Sequence, residues 1–525
     1  MSTLGDRLRR LETAFGVLAI FCWLAGIAGL RPLTAPDEGR YAGVALEMLR
    51  SGDWLVPRLD GLPFFHKPPL FYWIGASAMS VFGVSEWAAR LPSLLGATAA
   101  ATSLWLFLRR WEVASMARVA VQVLVTMPFL YIGAQFANLD MLVAGCLTAT
   151  ILLAAHATLS REAAQPWRGS LALTFAAAAI GVLAKGLIGL LLPGAIFIGW
   201  VMAARKPRRF WMLAWWPGWL LFVAIALPWF AAMQLRYAEF FDYFIVTQHF
   251  RRFATGGFNN VEPLWFYVPV LVLLTLPWGG WLAIRRGRPW RSGLGDIDRL
   301  MLVWLAVIVV FFSVPRSKLV GYVLPALPPL AYLIAGAIHR LRPAEAEARK
   351  WSRRTAGAAA IVCVLAVVAA GRFGTPPGAH LPLPAGSSVA SEDQVLMLDE
   401  YIYELPFYWR LTRPVMVLSD WDDPSIPQRD NWRKEMADAA RFDADQGRSV
   451  LIRTADAASV LCIARTTWLV GPRSATKTLP WLDDPRFVRV AQNKQLAAWR
   501  FAGTAASEPR CLQGRALRRP PAEAP

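Results

Sequence analysis

The run LMLVWLAVIVVFF at residues 300–312 contains no charged residue, and AGAAAIVCVLAVVAA at 356–370 has the same character. A bilayer core about 30 Å thick needs roughly 20 apolar residues per crossing helix. Runs near that length, bounded by charges or Pro/Gly clusters, recur at 14–30, 91–108, 117–133, 140–158, 170–184, 187–204, 211–232, 264–284, 299–314, 319–338 and 355–371. The pattern predicts an α-helical polytopic membrane protein with about 11 or more transmembrane helices. Composition agrees, because 56% of the 525 residues are hydrophobic and only 17% charged, against roughly 25% charged in ordinary soluble domains. Collagenous, disordered and ordinary globular classes are thereby excluded.

The net charge is +19, from 55 Lys and Arg against 36 Asp and Glu. In a soluble chain that would suggest nucleic acid; here the cations must first be sorted by membrane side. With Arg7, Arg9 and Arg10 in the cytoplasm, alternation puts Arg109 and Arg110, Arg161, Arg205 to Arg209, Arg285 to Arg291 and Arg340 to Arg354 on that same side. The positive-inside tendency is then met at each inner turn, and no nucleic-acid partner is implied. The same parity exports 31–90, 134–139, 233–263, 315–318 and everything after about residue 372. The basic start followed by Phe15 to Leu30 has the look of a signal peptide, but no small-residue cleavage site follows, so it reads as a retained first helix.

This gives a membrane domain over 1–371, with exported loops 31–90 and 233–263, and an exported tail over 372–525. The tail opens on a Pro/Gly-rich stretch, Thr375 to Gly386. Its short β-prone segments Gln394 to Leu398, Val415 to Ser419 and Ser449 to Arg453 alternate with helix-like stretches such as Trp432 to Phe442, predicting a small α/β domain. It carries no nucleotide loop and no nucleophile motif, which suits a structural or acceptor-positioning cap. Cys22, Cys146 and Cys363 fall inside predicted spans, whereas Cys462 and Cys511 lie in the tail and can pair in an oxidising compartment.

The first exported loop reads Pro36-Asp37-Glu38-Gly39-Arg40-Tyr41, then an amphipathic stretch Ala42 to Arg50, then Gly52-Asp53-Trp54-Leu55-Val56-Pro57, then Phe64-Phe65-His66-Lys67-Pro68-Pro69-Leu70. Val44, Leu46, Met48 and Leu49 predict an interfacial helix lying on lipid. A carboxylate at the outer end of a span, such as Asp37, can act as a general base or bind a metal; equally, Asp37 can cap the next helix while Glu38 pairs with Arg40. Asp140, in Asn138-Leu139-Asp140-Met141, is a second acid at membrane depth, either functional or an N-cap. Lys67, Lys185, Arg251, Arg252, Arg316 and Lys318 lie at exported ends, against the positive-inside tendency. Singly each can be a snorkelling side chain, but together they suit a phosphate or pyrophosphate. His66 and His249 are weak candidates for a divalent metal, because their spacing is no ligand signature. The Trp-rich stretches 211–219 and 278–281 read as interfacial belts.

Asp37-Glu38-Gly39-Arg40-Tyr41, Ser51-Gly52-Asp53-Trp54 to Pro57, His66-Lys67-Pro68-Pro69, Ala184-Lys185-Gly186 with Leu190 to Pro193, Gly256-Gly257-Phe258-Asn259-Asn260 with Trp265-Phe266-Tyr267, and Ser317-Lys318-Leu319 with Tyr322 and Leu324-Pro325 occur in order. Together they resemble the C-type glycosyltransferases of the protein-mannosyltransferase-like superfamily, and among these the bacterial aminoarabinose transferases that modify lipid A. The resemblance implies transfer of a sugar, 4-amino-4-deoxy-L-arabinose, from undecaprenyl phosphate to lipid A or another envelope acceptor at the periplasmic face of the inner membrane. It implies catalytic roles for Asp37 and Asp140, with Glu38, Arg40 and Tyr41 supporting the first-loop motif. Lys67, Lys318 and Tyr322 match positions suited to the donor phosphate; Arg251 and Lys185 join them by charge and position. His66 stands where the best-known aminoarabinose transferases carry Glu, which leaves a metal there open. Other readings are a mannosyltransferase-like enzyme acting on a protein or another glycolipid, and a transporter or flippase for anionic lipids. A transporter should hold its ionisable residues near the bilayer midplane, whereas these motifs cluster at outer loop ends.

Overall fold

The computed structural model describes residues 2–251, 260–284, 293–374, 378, 381–383, 387–462 and 465–502. Among them six helices are long and apolar enough to cross a membrane: Glu86–Trp111, Leu139–Glu162, Arg168–Lys185, Trp216–Arg236, Val320–Leu341 and Glu345–Phe373. Ala114–Val125 and Pro128–Ala134 make a seventh crossing if they count as one span bent by 58°. Pro128 explains that bend, since it has no N–H to donate and disfavours helix at Met127.

The other expected spans are helical but depart from the sequence pattern. Ile188–Ala204 is 17 residues long, and Asp296–Ser313 begins on two acids. The stretch 264–284 splits into Tyr267–Leu274 and Gly280–Ile284, on either side of Pro277 and Gly279. The first helix runs Ser2–Ala25 and ends five residues short of expectation. A helix within the first predicted loop, Leu70–Phe82, was not expected from the sequence pattern, because its 13 residues fall below span length.

The chain divides into two compact units, one of residues 1–31, 66–78 and 85–371, the other of 32–65, 79–84 and 372–525. In the first, helix Leu139–Glu162 packs between Glu86–Trp111 and Arg168–Lys185. A Cβ on Gly145 would lie 2.3 Å from the Gly96 carbonyl oxygen, and one on Gly96 would lie 2.4 Å from that of Met141. Only glycine permits so close a crossing. At one end of this bundle Arg209, 3% exposed, donates from Nε to Glu162 at 2.7 Å and from Nη1 to Asp296 at 2.9 Å, and lies 4.2 Å over the Trp200 ring. At the other end the buried Arg90 donates to the Arg31 carbonyl at 2.9 Å, and Arg31 donates to that of Gln135 at 2.7 Å.

The second unit holds a hairpin, β1 (Arg58–Leu59) and β2 (Leu62–Pro63), and a six-stranded sheet. The sheet comprises β3 (Gln394–Leu398), β4 (Met416–Ser419), β5 (Leu451–Arg453), β6 (Thr467–Pro472), β7 (Phe487–Gln492) and β8 (Leu496–Phe501), in the order β5-β4-β3-β6-β8-β7. β3 to β6 run parallel, while β8 and β7 add antiparallel pairs. β3 and β6 are buried almost throughout, as parallel strands covered on both faces should be. The hairpin turns on Asp60 and Gly61, at φ 57° and 78°, the positive φ values that Asp-Gly supplies in two-residue loops.

Helix Asp37–Ser51 corrects one expectation. Val44, Leu46 and Met48 are buried inside this unit, where the helix packs on β1 and on Leu405–Tyr408 rather than lying open to lipid. Its 3.6-residue period marked an apolar face without saying what would cover it. Cys22, Cys146 and Cys363 are free thiols and Cys462 is disulfide-bonded; Cys511 lies outside the described residues.

The Gly96–Gly145 crossing generates a prediction. Gly145→Leu should force the two helices apart and destabilise the protein by about 1–3 kcal/mol or more, read as a lower unfolding temperature in detergent. An unchanged temperature would refute the close crossing.

Candidate active site

In the first unit, Asn138 caps helix Leu139–Glu162: its Oδ1 accepts from the Asp140 N–H at 2.8 Å. The capping role open to Asp140 is thus taken by its neighbour, and the Asp140 carboxylate is left for another partner. That partner is Lys185, whose Nζ donates to Asp140 Oδ1. Lys185 is the last residue of helix Arg168–Lys185, which Gly186 ends at φ 92°. Both side chains are largely buried, at 13% exposure for Lys185 and 7% for Asp140. Lys185 Nζ also sits 4.5 Å from the centroid of the Tyr322 ring, which packs against Phe312 at 5.3 Å. The neighbouring Gly321 lets this third segment in, since a Cβ there would lie 2.6 Å from Asp140 Oδ2.

Lys318 belongs to the same unit. It is 3% exposed, and its Nζ donates to the carbonyls of Glu262 at 2.7 Å and Pro315 at 2.6 Å. An ammonium has three hydrogens, and these two carbonyls take two of them among the described residues. Tyr267 Oη donates to the Leu319 carbonyl at 3.1 Å, holding the start of the Tyr322 segment. His66 Nε2 and Tyr243 Oη share a hydrogen bond of 2.8 Å. Lys67 is half-buried just before helix Leu70–Phe82. His249 and Arg251 fall on the helical turn Asp242–Arg251 with side chains outside the described ones, and Arg252 and residues 256–259 lie outside the described residues altogether. No three His, Cys, Asp or Glu residues gather as metal ligands among the described residues.

Asp37 lies in the second unit as the first residue of its helix, about one-third exposed. The alternative pairing expected there does not occur. Pro36 occupies the cap position without a side-chain bond. Glu38 turns back to accept from the Thr34 N–H at 2.8 Å. Arg40 instead binds Asp37, Nη2 to Oδ1 at 3.3 Å, and reaches Glu435 of helix Trp432–Ala440 at 3.2 Å. Its guanidinium also lies 5.1 Å from the Tyr403 ring and 5.9 Å from that of Tyr41. Burial works against the Arg40 charge, but Glu435 foremost, then Tyr403, Tyr41 and Asp37, hold it more firmly protonated than usual. Burial pushes the Glu435 carboxyl up, against the pull of Arg40. Gly39 is required because a Cβ there would meet the Glu404 nitrogen at 2.8 Å. Glu435 and Tyr403 had no signal in the sequence, whereas Asn138, an asparagine just before an apolar run, is a readable cap.

A second acidic group lies in the same unit, in a cleft of about 240 Å³ bordered by Glu47, Asp60, Arg50 and Tyr401. Glu47 Oε1 accepts from the Gly61 N–H, and Asp60 Oδ1 from that of Val415, each at 2.7 Å. Burial pushes Glu47 up to about 7, with the Gly61 bond opposing it, and raises Asp60 well above the carboxylate range.

With this geometry established, comparison with known proteins places the chain. Residues 66–233 match the family described as dolichyl-phosphate-mannose-protein mannosyltransferase. The solved structure of ArnT from Cupriavidus metallidurans bound to undecaprenyl phosphate superposes with a TM-score of 0.75 and 22% identity, covering 93% of this chain and 97% of that one. The chain shares the ArnT fold. It is 33% identical over 355 residues to an undecaprenyl phosphate-alpha-4-amino-4-deoxy-L-arabinose arabinosyl transferase of Aeromonas hydrophila, covering 65% of this chain and 62% of that protein. It is also 33% identical over 341 residues to the enzyme of the same description from Pectobacterium carotovorum, covering 63% and 60%. The matched part thus spans about three-fifths of these relatives. The likeness to ArnT extends along nearly the whole chain, tail included.

Two outcomes follow from the site. Lys185→Met should cost about 3–5 kcal/mol because it strands the buried Asp140 carboxylate, whereas adding Asp140→Asn should restore more than half of that. Strictly additive losses in thermal unfolding would show that the two charges do not depend on each other. For Glu47, a folded pKa of about 7 against an ordinary 4.5 means its contribution is full below about pH 4.5 and is lost as pH rises through 7. Glu47→Gln should therefore leave stability unchanged at pH 4 and raise it at pH 8, by up to roughly 3 kcal/mol. Equal effects at both pH values would contradict this.

Proposed function

We propose that this chain is a multi-pass glycosyltransferase of the inner membrane that moves 4-amino-4-deoxy-L-arabinose from undecaprenyl phosphate to lipid A at the periplasmic face. The descriptions of its relatives, and the undecaprenyl phosphate held by the ArnT of the same fold, support donor and sugar. The topology proposed with it has about eleven crossings over 1–371, exported loops 31–90 and 233–263, and a periplasmic tail over 372–525. The compact unit that 32–65 forms with the tail supports placing both on one side.

The observation that carries the reading is the contrast between the two acids. Asp140 is buried and committed to Lys185, whereas Asp37 is partly exposed and steadied by Arg40. Asp37 is therefore the group that meets the acceptor, and Asp140 positions Lys185. In the transfer, the bond from the sugar's anomeric carbon to the donor phosphate oxygen breaks, and that oxygen keeps the electron pair. An acceptor oxygen forms the new bond. If the acceptor is a hydroxyl its proton passes to Asp37; if it is an ionised lipid phosphate, no proton moves and Asp37 orients it or steadies the positive charge developing on the sugar. The phosphate gains negative charge as the bond breaks, so cations already in place favour the transition state over the ground state. Lys67, Lys318 and Arg251 are assigned that role, together with Tyr322, and Lys185 contributes only as far as Asp140 leaves it free.

In proteoliposomes supplied with the undecaprenyl-phosphate sugar and lipid A, Asp37→Asn should lower the transfer rate 100-fold or more while leaving the unfolding temperature unchanged. Lys67→Ala or Lys318→Ala should weaken use of the donor. Normal transfer by the Asp37 variant would remove the catalytic assignment.

A further inference from the structure

We propose that a cavity of about 350 Å³ in the membrane unit, away from Asp140, binds a phosphate group such as an anionic phospholipid headgroup carries. Three helices build it: Arg118 comes from Ala114–Val125, His339 from the last turn of Leu327–Leu341, and Arg349, Ser352 and Arg353 from the first turns of Glu345–Phe373. Glu345, the cavity's one acid, is committed to Arg118 at 3.2 Å and Arg349 at 3.8 Å. Among the described residues no carboxylate partners Arg353. The His339 Nε2 is buried with no hydrogen-bond partner, an arrangement that costs free energy unless a ligand completes it. Three guanidinium groups and an imidazole against one carboxylate leave an excess of positive charge, and Arg forks match phosphate oxygens.

Position favours a lipid source. Helix Glu345–Phe373 carries its charges up to Arg354 and is apolar from Ala356 to Ala370, so the cavity sits where charge gives way to hydrocarbon-compatible surface. Basic pockets between helices at that level suit lipid headgroups. Ala114 follows shortly after Arg110, which reaches Gln165 just beyond helix Leu139–Glu162. Asp140 stands at that helix's opposite end, and 24 residues of helix separate the two ends by about 35 Å. The cavity is therefore separate from the proposed donor site.

The test is native mass spectrometry of the full-length protein in detergent with phosphatidylglycerol or phosphatidylcholine, together with thermal unfolding in inorganic phosphate. The wild type should retain phosphatidylglycerol in preference to phosphatidylcholine. His339→Gln with Arg353→Gln should weaken that retention at least tenfold, and Arg354→Gln, a neighbouring cation outside the cavity, should leave it unchanged. Arg353→Gln alone, at an exposed position, serves should the double variant not fold. Protection by phosphatidylglycerol only identifies a lipid headgroup; equal protection by millimolar inorganic phosphate, lost in the same variants, identifies a free phosphate. Equal lipid retention by wild type and variants without phosphate protection, or no preference for the anionic lipid, would overturn the proposal.

Discussion

The buried ion pair between Asp140 and Lys185 is the constraint on which the membrane unit turns. An ammonium or a carboxylate left alone among apolar helices costs several kcal/mol, so each charge requires the other within contact. The requirement fixes where chain segments begin and end. Helix Arg168–Lys185 must stop at Gly186, helix Leu139–Glu162 must start at Asn138, and the segment at Gly321 must approach without a side chain. The glycine crossing of Gly96 and Gly145 serves the same geometry further along the helix that carries Asp140. In an environment where hydrophobic burial does not discriminate between lipid and protein, close packing and polar contacts are what remain to hold helices in register.

The positive charge of the chain divides by role once the contacts are known. Much of it falls at the turns that the positive-inside pattern assigns to the cytoplasm. A second part is structural: Arg209 ties two helix ends through Glu162 and Asp296, and Arg31 and Arg90 cap backbone carbonyls at the opposite end. Lys318 is partly spent on carbonyls as well. Arg40 is held between the accessible Asp37 and the buried Glu435, so a residue of the tail steadies the first-loop acid.

Apolar length made the membrane class legible, because a run such as 300–312 has no other low-energy state in a bilayer, but among the described residues six helices, or seven with the bent pair, are long and apolar enough to cross one. Length alone did not reveal the breaks at Pro128 and Pro277, nor the 13-residue helix Leu70–Phe82. β3, β4 and β5 were legible as short bounded apolar runs, whereas β6, β7 and β8 were not singled out, and the Asp60-Gly61 pair is itself a hairpin signal. Asp37, Asp140 and Lys185 stood out as charges at span ends, but their partners did not. Glu435 and Tyr403 lie more than 360 residues from Arg40, and no local pattern encodes a contact at that separation. The face of Val44, Leu46 and Met48 was legible as apolar and misassigned to lipid, since periodicity reports a face and never its cover.

The central claim is that the chain adds an aminopentose to lipid A. Mass spectrometry of lipid A from cells with the gene deleted, and from the same cells carrying a wild-type copy, tests it most directly. The account predicts that the sugar-bearing species disappear on deletion and return with the wild-type copy. An identical lipid A profile in the two strains, under conditions where the protein is made and inserted, would contradict it.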